Sequence, residues 1–161
     1  MLFEEKEVSL SQGQYESVNL ADLAVEDSIL FYFDSVSTGA SNEYGDFKIF
    51  RGASFDAKAK DEKALLASIS PISFIPNTLL LNAVENGKFI VGGFYRITKA
   101  WNRGDSFTNK NGQKQKAKGY GYKLSEILLS ESIKTSFSKE LKSKLSGAND
   151  LEITEVEKPD L

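Results

Sequence analysis

Three stretches of the chain carry the hydrophobic patterning of strands, one as a continuous apolar run and two by alternation of apolar and polar positions with a period of two. From Ser28 the run ILFYFDSVST is dense in aromatic and β-branched residues and apolar on both faces until Asp34. Such a run predicts a strand covered from both sides, at the centre of a sheet. Asp46 to Phe55 reads as its partner across the loop GASNEYG at 39–45. There Phe47, Ile49 and Arg51 alternate with Lys48 and Phe50, and Gly52 marks a bulge or sharp bend. The third stretch, Phe94 to Leu124, predicts two strands joined by a long polar loop. Phe94, Arg96, Thr98 and Ala100 alternate with Tyr95, Ile97, Lys99 and Trp101; Asn109-Lys110-Asn111-Gly112 signals a turn; and Lys116 to Leu124 forms the return arm. A shorter first strand is expected over Tyr15 to Leu20.

Helical signals fall between and after these strands. Asp61 to Ile69 combines good helix formers with acids in the first turn, which predicts a short helix. Pro71 and Pro76 bracket SISPISFIPN and exclude a continuous helix there. Asn77 is placed as the N-cap of a helix over Thr78 to Glu85, ended by Asn86-Gly87. Phe137, Leu141 and Leu145 recur at helical spacing, so residues 130–145 predict an amphipathic helix stopped by Gly147. The sum is a mainly β fold: an OB-type five-stranded barrel with short helices between strands three and four, a C-terminal helix and an acidic tail. Residues 1–13 form a flexible N-terminus, 14–146 the folded domain and 147–161 a flexible acidic tail in this reading.

Composition narrows the function classes. At 161 residues, 40% hydrophobic and 27% charged, the chain suits one domain with a tail. It has no cysteine, hence no disulfide or thiolate metal site, which fits a reducing cytoplasm. It has no histidine, the commonest general base and metal ligand. No apolar run approaches the ~18 residues of a membrane span, and the acidic start MLFEEKEVSL lacks the order of a secretory signal. The formal net charge of −3 conceals a dipole. Acids crowd residues 1–34 and 150–161. The 94–124 stretch carries Arg96, Lys99, Arg103, Lys110, Lys114, Lys116, Lys118 and Lys123 against Asp105 alone.

Aromatic rings are interleaved with those cations. Cations follow a phosphate backbone and flat rings let unpaired bases stack, which is how single strands are held without sequence readout. The candidate nucleic-acid contacts are Arg96, Lys99, Trp101, Arg103, Lys114, Lys116, Lys118, Tyr120 and Tyr122, joined by Lys48 and Arg51 if their strand borders the same groove. Each has a plainer reading. Ile97 shares a face with Tyr95 and Trp101, which argues for core, and lysines on edge strands merely discourage sheet-to-sheet association. Gly119 and Gly121 either admit a close-approaching backbone or curve a strand. Catalysis has little support. Asp34, Asp46, Asp56, Asp61 and Glu62 have no enforced geometry, and the G-x-G of GYG lies inside a strand pattern and is no phosphate loop. No catalytic residue, metal site or cofactor is assigned.

The order FIPNTLLLNAVENGKFIVGGFYRI, then W…GD…KNGQKQKAKGYGYKL, then an acidic tail resembles the small phage-type OB-fold single-stranded-DNA-binding proteins. The resemblance spans residues 28–124 in pattern and the tail in composition. It departs at Leu161, where such tails often end in an aromatic residue; the departure bears on tail-mediated contacts rather than on DNA binding. The resemblance implies a basic aromatic groove that protects single-stranded DNA during replication or recombination in a host cytoplasm. It also implies a tail that contacts replication or recombination proteins. No membrane partner is expected, and an oligomer is left open. The competing expectation is a virion structural or protein-interaction β-sandwich, in which the basic hairpin docks protein.

Overall fold

A computed structural model describes residues 15–41, 45–56 and 58–157, with side chains as far as residue 146. The strands are β1 Glu16–Ser17, β2 Ser28–Ser41, β3 Gly45–Ser54, β4 Ser70–Phe74, β5 Phe94–Trp101, β6 Ser106–Thr108, β7 Lys114–Lys116 and β8 Gly121–Glu126. The helices are α1 Glu62–Ala67, α2 Thr78–Glu85 and α3 Glu131–Glu157, with a 3-10 turn at Leu20–Asp22. The segment predicted to be loose at 1–13, the loop tip at 42–44 and the last four residues of the acidic tail lie outside the described residues.

Six strands form one mixed sheet in the order β1-β4-β3-β2-β5-β8, and β6 pairs with β7 in a separate ribbon. The apolar run that begins at Ser28 makes β2 central, paired with β3 on one side and β5 on the other. Leu30, Phe31, Tyr32 and Phe33 are all buried, as a strand covered on both faces requires. The register of β2 shifts between Phe33 and Ser35, opposite Gly52 and Arg51 of β3. A Cβ on Gly52 would collide with the carbonyl oxygen of Tyr32, so this close crossing needs glycine.

The bend curls the sheet, and residues of one face converge on a single core. Phe31 and Phe33 of β2, Phe50 of β3, Phe74 of β4 and Ile97 of β5 meet there, with Leu80 of α2 and Phe89 closing it. Phe33 and Phe89 lie with ring centroids 4.5 Å apart, and Phe31 meets Phe74 edge-on at 5.0 Å. The convex face carries a second core, in which Tyr32, Ala53 and Phe94 are covered by Phe137 and Leu141 of α3. The Phe137 ring stands 5.0 Å from Phe94 and 5.2 Å from Tyr32.

The expected closed barrel is corrected: the sheet stays open. β1 runs parallel along the outer edge of β4, pairing Glu16 with Ile72. The start of α2 bonds across to the segment leading into β8, Asn77 Nδ2 donating to the Tyr120 carbonyl at 2.9 Å. A strand and a helix thus occupy the seam that ladder pairing would have closed. The strand β4 was not expected from the sequence; its one proline, Pro71, sits opposite Ala53 within the sheet. Asn77 caps α2 as expected, its Oδ1 accepting the Leu80 N–H at 3.1 Å, and Gly87 leaves the helix at φ 71°. Asp61 caps α1 in the same way, at 2.7 Å from the Ala64 nitrogen. The expected stop at Gly147 is also corrected, because α3 continues to Glu157. An interior glycine costs a helix only about 1 kcal/mol, and the first proline beyond it is Pro159.

Candidate nucleic-acid interface

The long polar loop between β5 and β8 is built by local hydrogen bonds. Asp105 Oδ2 accepts the Asn102 N–H at 2.7 Å, and the backbones of Gly104, Asp105 and Ala117 tie the base of the loop together. At the tip, Asn109 Oδ1 accepts the N–H groups of Asn111 and Gln113, each at 2.9 Å, and Gly112 takes φ 79°. The Asn-Lys-Asn-Gly signal therefore forms its turn, at the end of a β6–β7 finger. The return arm is not one strand from Lys116 onward: Ala117 to Tyr120 lie between β7 and β8.

Between the finger and the start of α2 lies a concavity of about 670 Å³, within the size range of small-molecule sites. Trp101, Phe107, Tyr120 and Leu79 supply its apolar lining, and Arg103 and Lys118 its cations. Trp101 is 43% exposed and Phe107 47%. Two polar side chains of the lining are engaged within the protein. Asn77 bonds the Tyr120 carbonyl and caps α2, and Asp105 holds Asn102.

The structure gathers four of the sequence-predicted residues here: Trp101, Arg103, Lys118 and Tyr120. Lys114 and Lys116 stand exposed on β7, two positions apart and so on one face of the finger. Lys48 is exposed on the β2–β3 arm, its ammonium donating to Thr38 Oγ1 at 3.3 Å. Arg51 and Arg96 are not brought to the concavity. Arg96 lies two positions beyond Phe94, on the convex face, and donates to Ser28 Oγ at 2.8 Å. Arg51 shares the face of Ala53 and sits over the Tyr15 ring at 5.3 Å. Burial and the nearby Asp34 raise the Tyr15 phenol, with Arg51 opposing. Burial likewise raises the Asp34 carboxyl against the pull of Lys142 on α3.

Lys99 and Tyr122 are corrections. Lys99 is 1% exposed, and its ammonium donates to the carbonyls of Ala21 and Leu23 at 2.5 and 2.9 Å while lying 4.5 Å from the centre of the Tyr120 ring. It ties the 3-10 turn to β5 and offers no charge to a phosphate. Tyr122 belongs to the main core, where burial, and then Tyr120, push its phenol upward. Tyr95 is interior too; its hydroxyl accepts the Ile90 N–H at 2.9 Å. Strand alternation with Ile97 carried the signal for Tyr95 and Lys99. Leu79 was missed as a lining residue, and Phe107, though one of the rings interleaved with the cations, was left out of the candidate contacts; the docking of α2 beside Tyr120 is a contact across 43 positions.

What the arrangement can do is hold flat, apolar rings in a concavity with guanidinium and ammonium groups at its edge. No protein-family model, curated protein or solved structure matches this chain.

Proposed function

We propose that this chain binds single-stranded DNA without sequence readout and without chemistry, protecting strands during replication or recombination, as a bacteriophage protein in a host cytoplasm would. The observation that carries the reading is the pair of exposed rings, Trp101 and Phe107, in one concavity with Arg103 and Lys118. Covering a large apolar side chain is worth roughly 1.5–3 kcal/mol. Two such rings left open in one concavity are surface awaiting an occupant, whereas scattered exposed apolar residues need no explanation. Adjacent cations select an anionic occupant, and bases on a phosphate chain satisfy both requirements. With Asn77 and Asp105 already bonded internally, neither is free to read base edges, which supports indifference to sequence.

The topology supports the same reading. We read the order β4-β3-β2-β5-β8, with α2 between β4 and β5 in the chain, as an OB-type arrangement left open along one seam. The test is binding of a labelled oligo(dT) and its duplex by the wild type, Trp101→Ala and Phe107→Ala. Each truncation should weaken single-strand binding by about 1–3 kcal/mol. Equal affinity of all three proteins would refute this site. Defined self-association without any nucleic-acid affinity would favour a protein-docking role instead.

A further inference from the structure

We infer that Gly121 is a positioning residue for Trp101: its bare backbone is the floor that fixes the indole, so that one ring face is sealed and the other takes one unpaired base. The inference rests on the single-strand reading of the concavity and adds how its main platform is held.

Three independent features meet at this indole. First, the β5–β8 register shifts between Lys99 and Trp101: Lys99 pairs with Tyr122 and Trp101 with Gly121, leaving Ala100 as the extra residue. A bulge of this kind re-aims the side chain that follows it. Lys99 points inward, whereas Trp101 leaves the interior and comes to lie across β8. Second, a Cβ built on Gly121 would fall among the indole carbons Cε2, Cδ2 and Cζ2, closer than any real side chain approaches. The ring therefore rests on the glycine where any other residue would place its side chain. Third, the indole N–H donates to the Gly119 carbonyl at 3.0 Å, which fixes rotation of the ring within its plane. Despite these restraints Trp101 stays 43% exposed and lines the concavity.

A platform held before binding has no rotamer freedom left to lose when a base stacks on it, which favours affinity. The two glycines of GYG thus play separate parts: one supplies a carbonyl, the other an absence. Gly121→Ala should tilt the indole off β8 without removing any charge. Single-strand affinity should then fall on the order of fivefold to tenfold, the scale of ordering one side chain, with the salt dependence unchanged. In a Trp101→Ala background the same glycine change should cost no further affinity, because the ring it positions is gone. A merely structural role for Gly121 would lower affinity in both backgrounds.

Time-resolved fluorescence anisotropy of the wild type gives a readout that needs no variant, since Trp101 is the sole tryptophan. A fixed indole depolarises at the tumbling rate of the whole domain; a large sub-nanosecond component would overturn the positioning role, even if Gly121→Ala failed to fold. Equal affinities of wild type and Gly121→Ala would overturn it as well. A rigid indole in a protein that binds no oligo(dT) would instead refute the base as ligand, and with it the single-strand reading.

Discussion

Lys99 is a cation that the fold spends on itself. Its stem runs inward from β5 beside Ile97, and its ammonium meets two carbonyls and a ring instead of a carboxylate. Those carbonyls belong to the turn that precedes β2, so a side chain 76 or more positions away anchors the entry to the sheet. Replacing Lys99 by Met keeps the stem but leaves Ala21 and Leu23 without this donor. Stability measured by urea unfolding should fall by about 1–3 kcal/mol. The salt dependence of oligo(dT) binding should stay at the wild-type value. A slope shallower by about 0.7, the loss of one phosphate contact, would mean that the ammonium reaches the strand after all. At this scale the sequence was partly legible: the period of two placed Tyr95, Ile97 and Lys99 on one face. Tyr122 was misplaced because the return arm was read as one unbroken strand from Lys116, whereas Ala117 to Tyr120 interrupt it before β8.

Among the elements, those fixed by neighbours in sequence were the readable ones. Asn77, Gly87 and the Asn109 turn each satisfy backbone groups within a few positions, so the residue type announces the geometry. β4 depends on partners far along the chain, and its Pro71 signalled only that no continuous helix forms there. The β6–β7 finger shows both sides of this. Its turn was legible, while the orientation that puts Phe107 and Lys118 at the same concavity was not. The finger and its exit also carry the most concentrated cations, with Lys114 and Lys116 on one face and Lys118 at the rim. Changing these three lysines together to Ala should flatten the plot of log affinity against log salt by about 2, from roughly 0.7 per phosphate contact on a single strand. Binding titrations at several salt concentrations measure that slope. An unchanged slope would place the phosphates elsewhere.

For the whole molecule, the curled sheet separates two apolar territories. One is the interior closed by Leu80 and Phe89, the other the convex face sealed by α3. This division explains why the continuous apolar run of β2 predicted a central strand correctly and yet could not say which side stays open. Closure of the sheet was equally beyond reach, because it turns on where β1 and α2 settle, and no local signal specifies that. The net charge of −3 likewise says little about a partner, since the concavity and finger carry Arg103, Lys114, Lys116 and Lys118 against Asp105. The most direct measurement is a titration of Trp101 fluorescence with oligo(dT) and with duplex of the same length, at low and at physiological salt. Saturable quenching by the single strand, weaker with duplex and weakening steeply as salt rises, is the predicted result. Emission that stays constant with oligo(dT) at micromolar protein and low salt would contradict the account.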